Sequence, residues 1–331
     1  MEYKITKYKK EYEKQWDDFV ENESINGTFL QQWKFLNYHT EGRFNDCSIM
    51  FWNKDNLVGV CPACVLTEKE KKVFYSHMGS TYGGLLISKE LLRVEKMKVL
   101  LEAFDDYLKK QNFDKCVIKT TMDILCCYPQ DILEFSLCFF QYQERKELNF
   151  YIDYDKYNPD IINNFSKMKR RNVKRCINTG FELKELIDRN QIKDFHHVLT
   201  ANLYKYDKKP IHTVNELCNL KNRLKENIEF YGAYLDGKLM AGTMVFLFEK
   251  VKCAHTQYLA ADPKYKDLNP MAFIYYRMAE MFSQRKYRYL SWGIATEHLG
   301  SDINYSLANN KEEFGSIHGI NRIYEKYYEL S

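Results

Sequence analysis

Residues 228–248 read IEFYGAYL-DG-KLMAGTMVFLF, and the fold follows from this stretch. Ile228–Leu235 and Leu239–Phe248 are runs rich in β-branched and aromatic residues. Asp236-Gly237 between them is the dipeptide that suits a two-residue hairpin turn. Val251–Ala260 predicts a third strand, and the loop Ala261–Asn269 leads into a helix over Pro270–Gln284. Asn269 stands at the N-cap of that helix and Pro270 at its first position. Arg288–Trp292 closes the series as a short strand.

The first half repeats this order. A strand at Tyr3–Tyr8 and a helix at Glu11–Val20 precede an aromatic helix, Phe29–His39, capped by Thr28. Ser48–Trp52 and Leu57–Leu66 form a hairpin about the Asn53–Asn56 turn. The strand Lys72–His77, a loop with Gly79, Gly83 and Gly84, the helix Glu90–Lys110 and the strand Cys116–Lys119 follow. Leu57 corresponds to Leu239, His77 to His255 and Cys116–Lys119 to Arg288–Ser291, as a diverged duplication predicts. Helical segments at Asp160–Asn178, Ile192–Tyr206 and Thr213–Glu226 lie between the copies. The expectation is an α/β (α+β) chain of two tandem domains, 1–155 and 156–331, each a mixed, mainly antiparallel sheet flanked by helices.

Composition narrows the function. With 26 Tyr and 21 Phe the chain has ample material for folded cores. A net charge of +4 is too small for a general nucleic-acid footprint, although it leaves room for one local basic site. The N-terminus lacks the apolar segment of a signal peptide, and no run approaches the roughly 18 apolar residues of a spanning helix. Ten scattered cysteines read as reduced thiols, so a cytoplasmic location is expected. Cys61-Pro-Ala-Cys64 has redox or zinc spacing, but it sits in an apparent strand and no second ligand pair accompanies it; no metal is expected.

Several motifs carry chemistry. Ser166–Arg175 contains Arg170-Arg171-Asn172, and on a helix Lys167, Arg170, Arg171, Lys174 and Arg175 share one face. That face suits phosphate or carboxylate, or is simply a solvated surface. Ala254-His-Thr-Gln-Tyr258 follows, then Trp292-Gly-Ile-Ala-Thr-Glu297, Gly300, Ile303-Asn304 and Lys311-Glu-Glu-Phe-Gly315. Strand alternation places His255 and Gln257 on one side, Thr256 and Tyr258 on the other.

In order and spacing these motifs resemble the FemAB-like branch of the GNAT acyltransferase superfamily, whose bacterial members often end in Lys-x-x-Phe/Trp-Gly. The resemblance implies acyl transfer from an activated carrier to an amine, without a covalent enzyme intermediate. It implies a splay between strands that grips the carrier, with Lys311 near the reacting carbonyl and His255 or Glu297 as the general base. Arg170, Arg171, Lys174, Gln257, Tyr258 and Asn304 are then expected at the substrate, and Leu268, Asn269 and Met271 at the acyl-CoA carrier. The first domain is expected on the acceptor side and the second at the transfer site.

Two departures qualify the carrier. Lys264–Met271 has no glycine where ordinary GNAT enzymes place a glycine-rich phosphate loop. The long helical arm common in ligases that use aminoacyl-tRNA has no room here. The leading expectation is N-acyl transfer, of acetyl from acetyl-CoA, to an amino sugar or cell-surface glycan precursor. The alternatives are a FemX-type, aminoacyl-tRNA-dependent peptidoglycan ligase and a non-catalytic binding module on the same fold.

Overall fold

The computed structural model describes residues 2–39, 42–205 and 207–328. They fall into two compact units. One runs through Glu147 and includes His298–Ser301 and the strand from Ile320 onward; the other comprises Leu148–Glu297 and Asp302–Gly319. The chain thus passes between units at 147/148 and returns near its end, whereas the sequence divides at 155/156.

The first unit begins with β1 (Lys4–Lys7), α1 (Glu13–Asn22), α2 (Trp33–Leu36) and β2 (Asn45–Asp46). It continues with β3 (Ile49–Asn53), β4 (Asn56–Cys61), β5 (Cys64–Glu68), β6 (Lys71–Ser76) and β7 (Leu86–Ile87). Then come α3 (Val94–Lys110), β8 (Lys115–Lys119), α4 (Asp131–Phe139) and the start of β9 (Gln143–Asp153). Strands β1, β3, β4 and β7 form one sheet, while β6 pairs in parallel with β8 and antiparallel with β5. Phe51, Phe74 and Phe104 meet edge to face in the core of this unit.

Two expectations fail here for local reasons. The segment after Thr28 is a single 3-10 turn at Phe29–Gln31, capped by Thr28 and Gln31, followed by only four residues of α2. The single strand expected over Leu57–Leu66 is broken at Pro62, which cannot donate a ladder hydrogen bond. Cys61 therefore ends β4 in one sheet and Cys64 begins β5 in another. Burial raises both thiol pKa values, Cys64 to about 11, the opposite of what a reactive pair needs. Among the described residues no group of three or more His, Cys, Asp or Glu is placed to hold a metal ion. No helix among them is long and apolar enough to cross a membrane.

The second unit holds the end of β9, then α5 (Lys167–Thr179), β10 (Glu182–Glu185), α6 (Arg189–Tyr204) and α7 (Val214–Arg223). Tyr206, the expected end of α6, lies outside the described residues. Next are β11 (Ile228–Leu235), β12 (Lys238–Phe248), β13 (Cys253–Ala261), α8 (Pro270–Gln284) and β14 (Tyr289–Ile294). The short strands β15 (Thr296–Glu297) and β16 (Asp302–Ile303), the helix α9 (Tyr305–Glu312) and β17 (Ile317–Tyr327) complete the chain. Within this unit the strand order is β10-β11-β12-β13-β14-β9.

The β11–β12 hairpin forms as expected, with Asp236 and Gly237 both at positive φ in the turn. Residues of β12 are buried from Met240 onward because helices cover it on both faces. Ala241, Val245 and Leu247 join Phe273, Ile274 and Met278 of α8 in one core. Gly242 lies under Phe195 of α6, whose Cδ2 would stand 2.6 Å from a Cβ built there. Gly242→Ala is therefore expected to cost about 1–3 kcal/mol of stability by overpacking, read as a lower urea midpoint at unchanged slope.

Candidate active site

Three pieces of the second unit meet around β13 and β14. The first is a fork. These strands run parallel only through Cys253↔Tyr289, Ala254↔Leu290 and His255↔Ser291. Beyond that point β13 continues along β12 with a bulge at Gln257, and β14 continues along β9 with a bulge at Trp292. A bulge re-aims its strand and breaks side-chain alternation, so the expected facing of His255 with Gln257 does not carry past Thr256. The two strands share no further ladder bonds.

The second piece is Lys311. It sits on α9 and is 3% exposed. Its Nζ donates to the carbonyls of Gly293 at 2.9 Å and Ile294 at 2.7 Å, on the β14 arm of the fork, and lies 5.6 Å from the centre of the Phe150 ring. Burial pushes its pKa down to about 7, because an ammonium loses hydration that two carbonyls only partly replace. His255, at the fork itself, is buried with Nδ1 3.0 Å from Ser291 Oγ. Burial, helped by the charge of Lys311, lowers its pKa to about 4, so it is neutral at pH 7.

The third piece is a cavity of 240 Å³ at the start of α8. Lys169, Lys205 and Lys266 line it with Asn172, Asn202 and Asn310, against the single carboxylate of Asp262. Lys169 is held by Asn310 Oδ1 at 2.5 Å and Glu313 at 3.3 Å, which ties α5 to α9. The first backbone N–H groups of a helix have no intrahelical partner and favour anions. Lysines there add charge that the helix end alone lacks.

The structure sorts the predicted residues unevenly. Asn269 and Met271 line the cavity; Leu268 packs against the core beside it. Asn269 is not the side-chain cap that was expected. It adopts φ 57°, its Oδ1 accepts from Asn172 Nδ2 at 3.2 Å, and its side chain makes no bond to the first turn, whose Ala272 N–H donates instead to the Asn269 carbonyl. The basic face of Arg170, Arg171 and Lys174 does not line the cavity, and Arg171 and Lys174 are exposed. Lys169 and Asn172, on the opposite side of α5, point inward instead.

Glu297 is half-exposed and pairs with Lys208 at 3.5 Å, on β15 rather than at the fork. Asn304 caps α9 by accepting from Leu307 N at 3.0 Å. Tyr258 packs against α6 and meets His212 Nδ1 at 2.5 Å through its hydroxyl. Sequence reasoning named Asn172 only within the Arg170-Arg171-Asn172 run, with no role of its own, and did not single out Lys205, Lys266 or Asn310. Lys266 was visible as the only other cation near Lys264 in the loop before α8, and Asn310 as the neighbour of Lys311.

Residues 167–301 match the family model described as the acetyltransferase (GNAT) domain, a span that includes the cavity's α5 and α8 walls and the fork but stops before Lys311. No curated protein matches the chain. Among solved structures, that of FemX is 13% identical with a TM-score of 0.70, covering 98% of this chain and 97% of its own. L-PGS from Bacillus licheniformis is 10% identical with a TM-score of 0.61, at 96% and 92% coverage. A tandem GNAT protein from the clavulanic acid biosynthesis pathway is 10% identical with a TM-score of 0.59, at full coverage of both chains. At these identities the structural likeness is one of fold. Residues 167–301 thus match a GNAT acetyltransferase domain, and the chain as a whole shares the fold of FemX and of a tandem GNAT protein.

Proposed function

We propose that the second unit moves an acyl group from a phosphate-bearing carrier to an amine. The cavity at α8 takes the carrier's phosphates, the fork between β13 and β14 takes its acyl end, and Lys311 lies beside the carbonyl that reacts. The observation that carries this reading is the pairing of a three-lysine cavity with a buried lysine at the fork. The amine nitrogen bonds to the carbonyl carbon, the carrier's thioester bond breaks, and the proton shed by nitrogen balances the thiolate that leaves. Lys311 in its charged form lowers the cost of the oxyanion in a site with little water.

The carrier we favour is an acyl-CoA, and the acceptor an amine of an amino sugar or glycan precursor. One feature supports a second carrier, an aminoacyl-tRNA. In the loop before α8, the N–H groups of Tyr265 and Asn269 bond to Asp262 O and Lys266 O, and that of Lys264 to Asp262 Oδ1. Arg175 and Cys176 of α5 occupy the carbonyls of Asp267, Leu268 and Asn269. Phosphate recognition thereby falls to lysine side chains and not to a backbone cradle, a mode less tied to a pyrophosphate. The solved structures of FemX and L-PGS, whose folds this chain shares, make that carrier worth testing beside CoA.

Lys266→Gln removes one exposed cavity charge without touching the α5–α9 clasp. It is expected to weaken binding of the true carrier roughly tenfold, about 1.4 kcal/mol, in a calorimetric titration. Acetyl-CoA and charged tRNA are titrated in parallel. If neither binds the wild type, or the variant binds as tightly, the cavity assignment fails.

A further inference from the structure

Lys311 rests on two successive carbonyls, Gly293 O and Ile294 O. In a regular strand successive carbonyls point to opposite sides, so one amine does not reach both. Here the backbone departs from the regular path. Trp292 is bulged out of register, and Gly293 takes φ +75°, where a residue with a side chain is strained. A Cβ at Gly293 would meet only His255 Cε1, at 3.6 Å, so the glycine answers to conformation and not to space.

What holds that peptide is the side chain two residues earlier. Ser291 Oγ accepts from Gly293 N at 3.2 Å, stands 3.0 Å from His255 Nδ1 and 3.4 Å from Asn149 Oδ1. Ser291 and Asn149 are fully buried. A hydroxyl has one proton and two lone pairs, which lets it take the glycine N–H while giving its own proton to histidine or asparagine. Ser291 O, in turn, accepts from Thr256 Oγ1 at 3.2 Å, which pins the serine across the fork.

We propose that Ser291 is a positioning residue that, through the Gly293 peptide, fixes the carbonyl pair on which the Lys311 amine sits. Without the hydroxyl the Gly293 N–H loses that acceptor beside the bulge, the peptide turns, and Gly293 O leaves Lys311. The amine then keeps its burial but loses an acceptor that favours its charged form. The titratable group nearby is His255 on β13, which is neutral where Lys311 titrates, while β14 offers carbonyls and β9 the Phe150 ring.

The inference extends the proposed role of Lys311, but its test needs neither carrier nor acceptor. Lysine-labelled protein is titrated by NMR of the Lys311 side-chain carbon beside the amine, assigned by its loss in Lys311→Met. Ser291→Ala is expected to lower the midpoint by about 0.5 pH unit or more, a roughly threefold change in charge ratio. Ser291→Thr keeps the hydroxyl and stays with the wild type. A merely structural serine would lower the melting temperature and leave the Lys311 midpoint alone. An unchanged or raised midpoint in Ser291→Ala, or a threonine variant that moves as far as alanine, overturns the proposal. Should Ser291→Ala fail to fold, Ser291→Cys, with a weak acceptor of similar size, is read in the same way. Failure of the transfer assays leaves this result untouched, and an unmoved Lys311 leaves the transfer reading untouched.

Discussion

Lys311→Met is expected to slow acyl transfer by about two to three orders of magnitude while leaving carrier affinity within about twofold. The reasoning separates binding from chemistry. Under the proposed function the carrier's phosphates bind in the lysine cavity, to which Lys311 does not contribute a wall. An ammonium whose work is at the oxyanion stabilises the transition state and adds little to the ground state, so its removal lowers kcat and leaves KM nearly alone. Methionine keeps length and apolar bulk in a position that is already buried. Two carbonyls lose a donor, yet a costly buried charge is lost as well, so the net stability change at neutral pH is expected within about 2 kcal/mol. Steady-state kinetics with the carrier that binds give the answer. A variant that retains wild-type kcat would remove Lys311 from the chemistry.

The same variant is expected to change how stability depends on pH. Lys311 is held at about 7 when folded against an ordinary value of 10.5. Between those values the unfolded chain carries a proton that the folded chain lacks, so folding stability rises with pH across that window. Below pH 7 both states are protonated and the full penalty of the buried charge is present. At its steepest the rise is about 1.4 kcal/mol per pH unit. Lys311→Met abolishes it. The buried histidines act in a lower window: His255 and His77, each held at about 4, make stability fall as pH drops from 6.5 towards 4. That limb keeps its sign in the lysine variant, with the His255 share reduced because the charge of Lys311 helps to hold it low. Urea denaturation from pH 5 to pH 10 checks both limbs in one series.

Sequence and structure agree best where local chemistry is strongest. Ile228–Leu235 and Pro270–Gln284 form at the expected residues because an Asp-Gly turn and a proline at the first helical position leave little choice of boundary. The fork was expected on β13, and the register that ends at His255 shows it there. The strands β9 and β17 were not recognised. Each mixes charged residues with apolar ones over 11 positions, and their burial depends on partners distant in the chain. Helix α9 was missed as well, since Tyr305–Glu312 has almost no amphipathic stripe and is held by its Asn304 cap and by the buried Lys311 and Ala308. On α5 the cluster of arginines drew the eye to the solvent side. Which cation turns inward depends on how the helix is seated against α9, visible only in the contacts of Lys169 with Asn310 and Glu313.

Hydrogen–deuterium exchange with and without carrier tests the central claim most directly, with acetyl-CoA and a charged tRNA run side by side. The account predicts that at least one of them slows exchange at Thr256–Ala261, on the open edge of the fork, and in the first turn of α8 around Met271–Phe273. Binding that protects other segments while leaving both of these unchanged would contradict it.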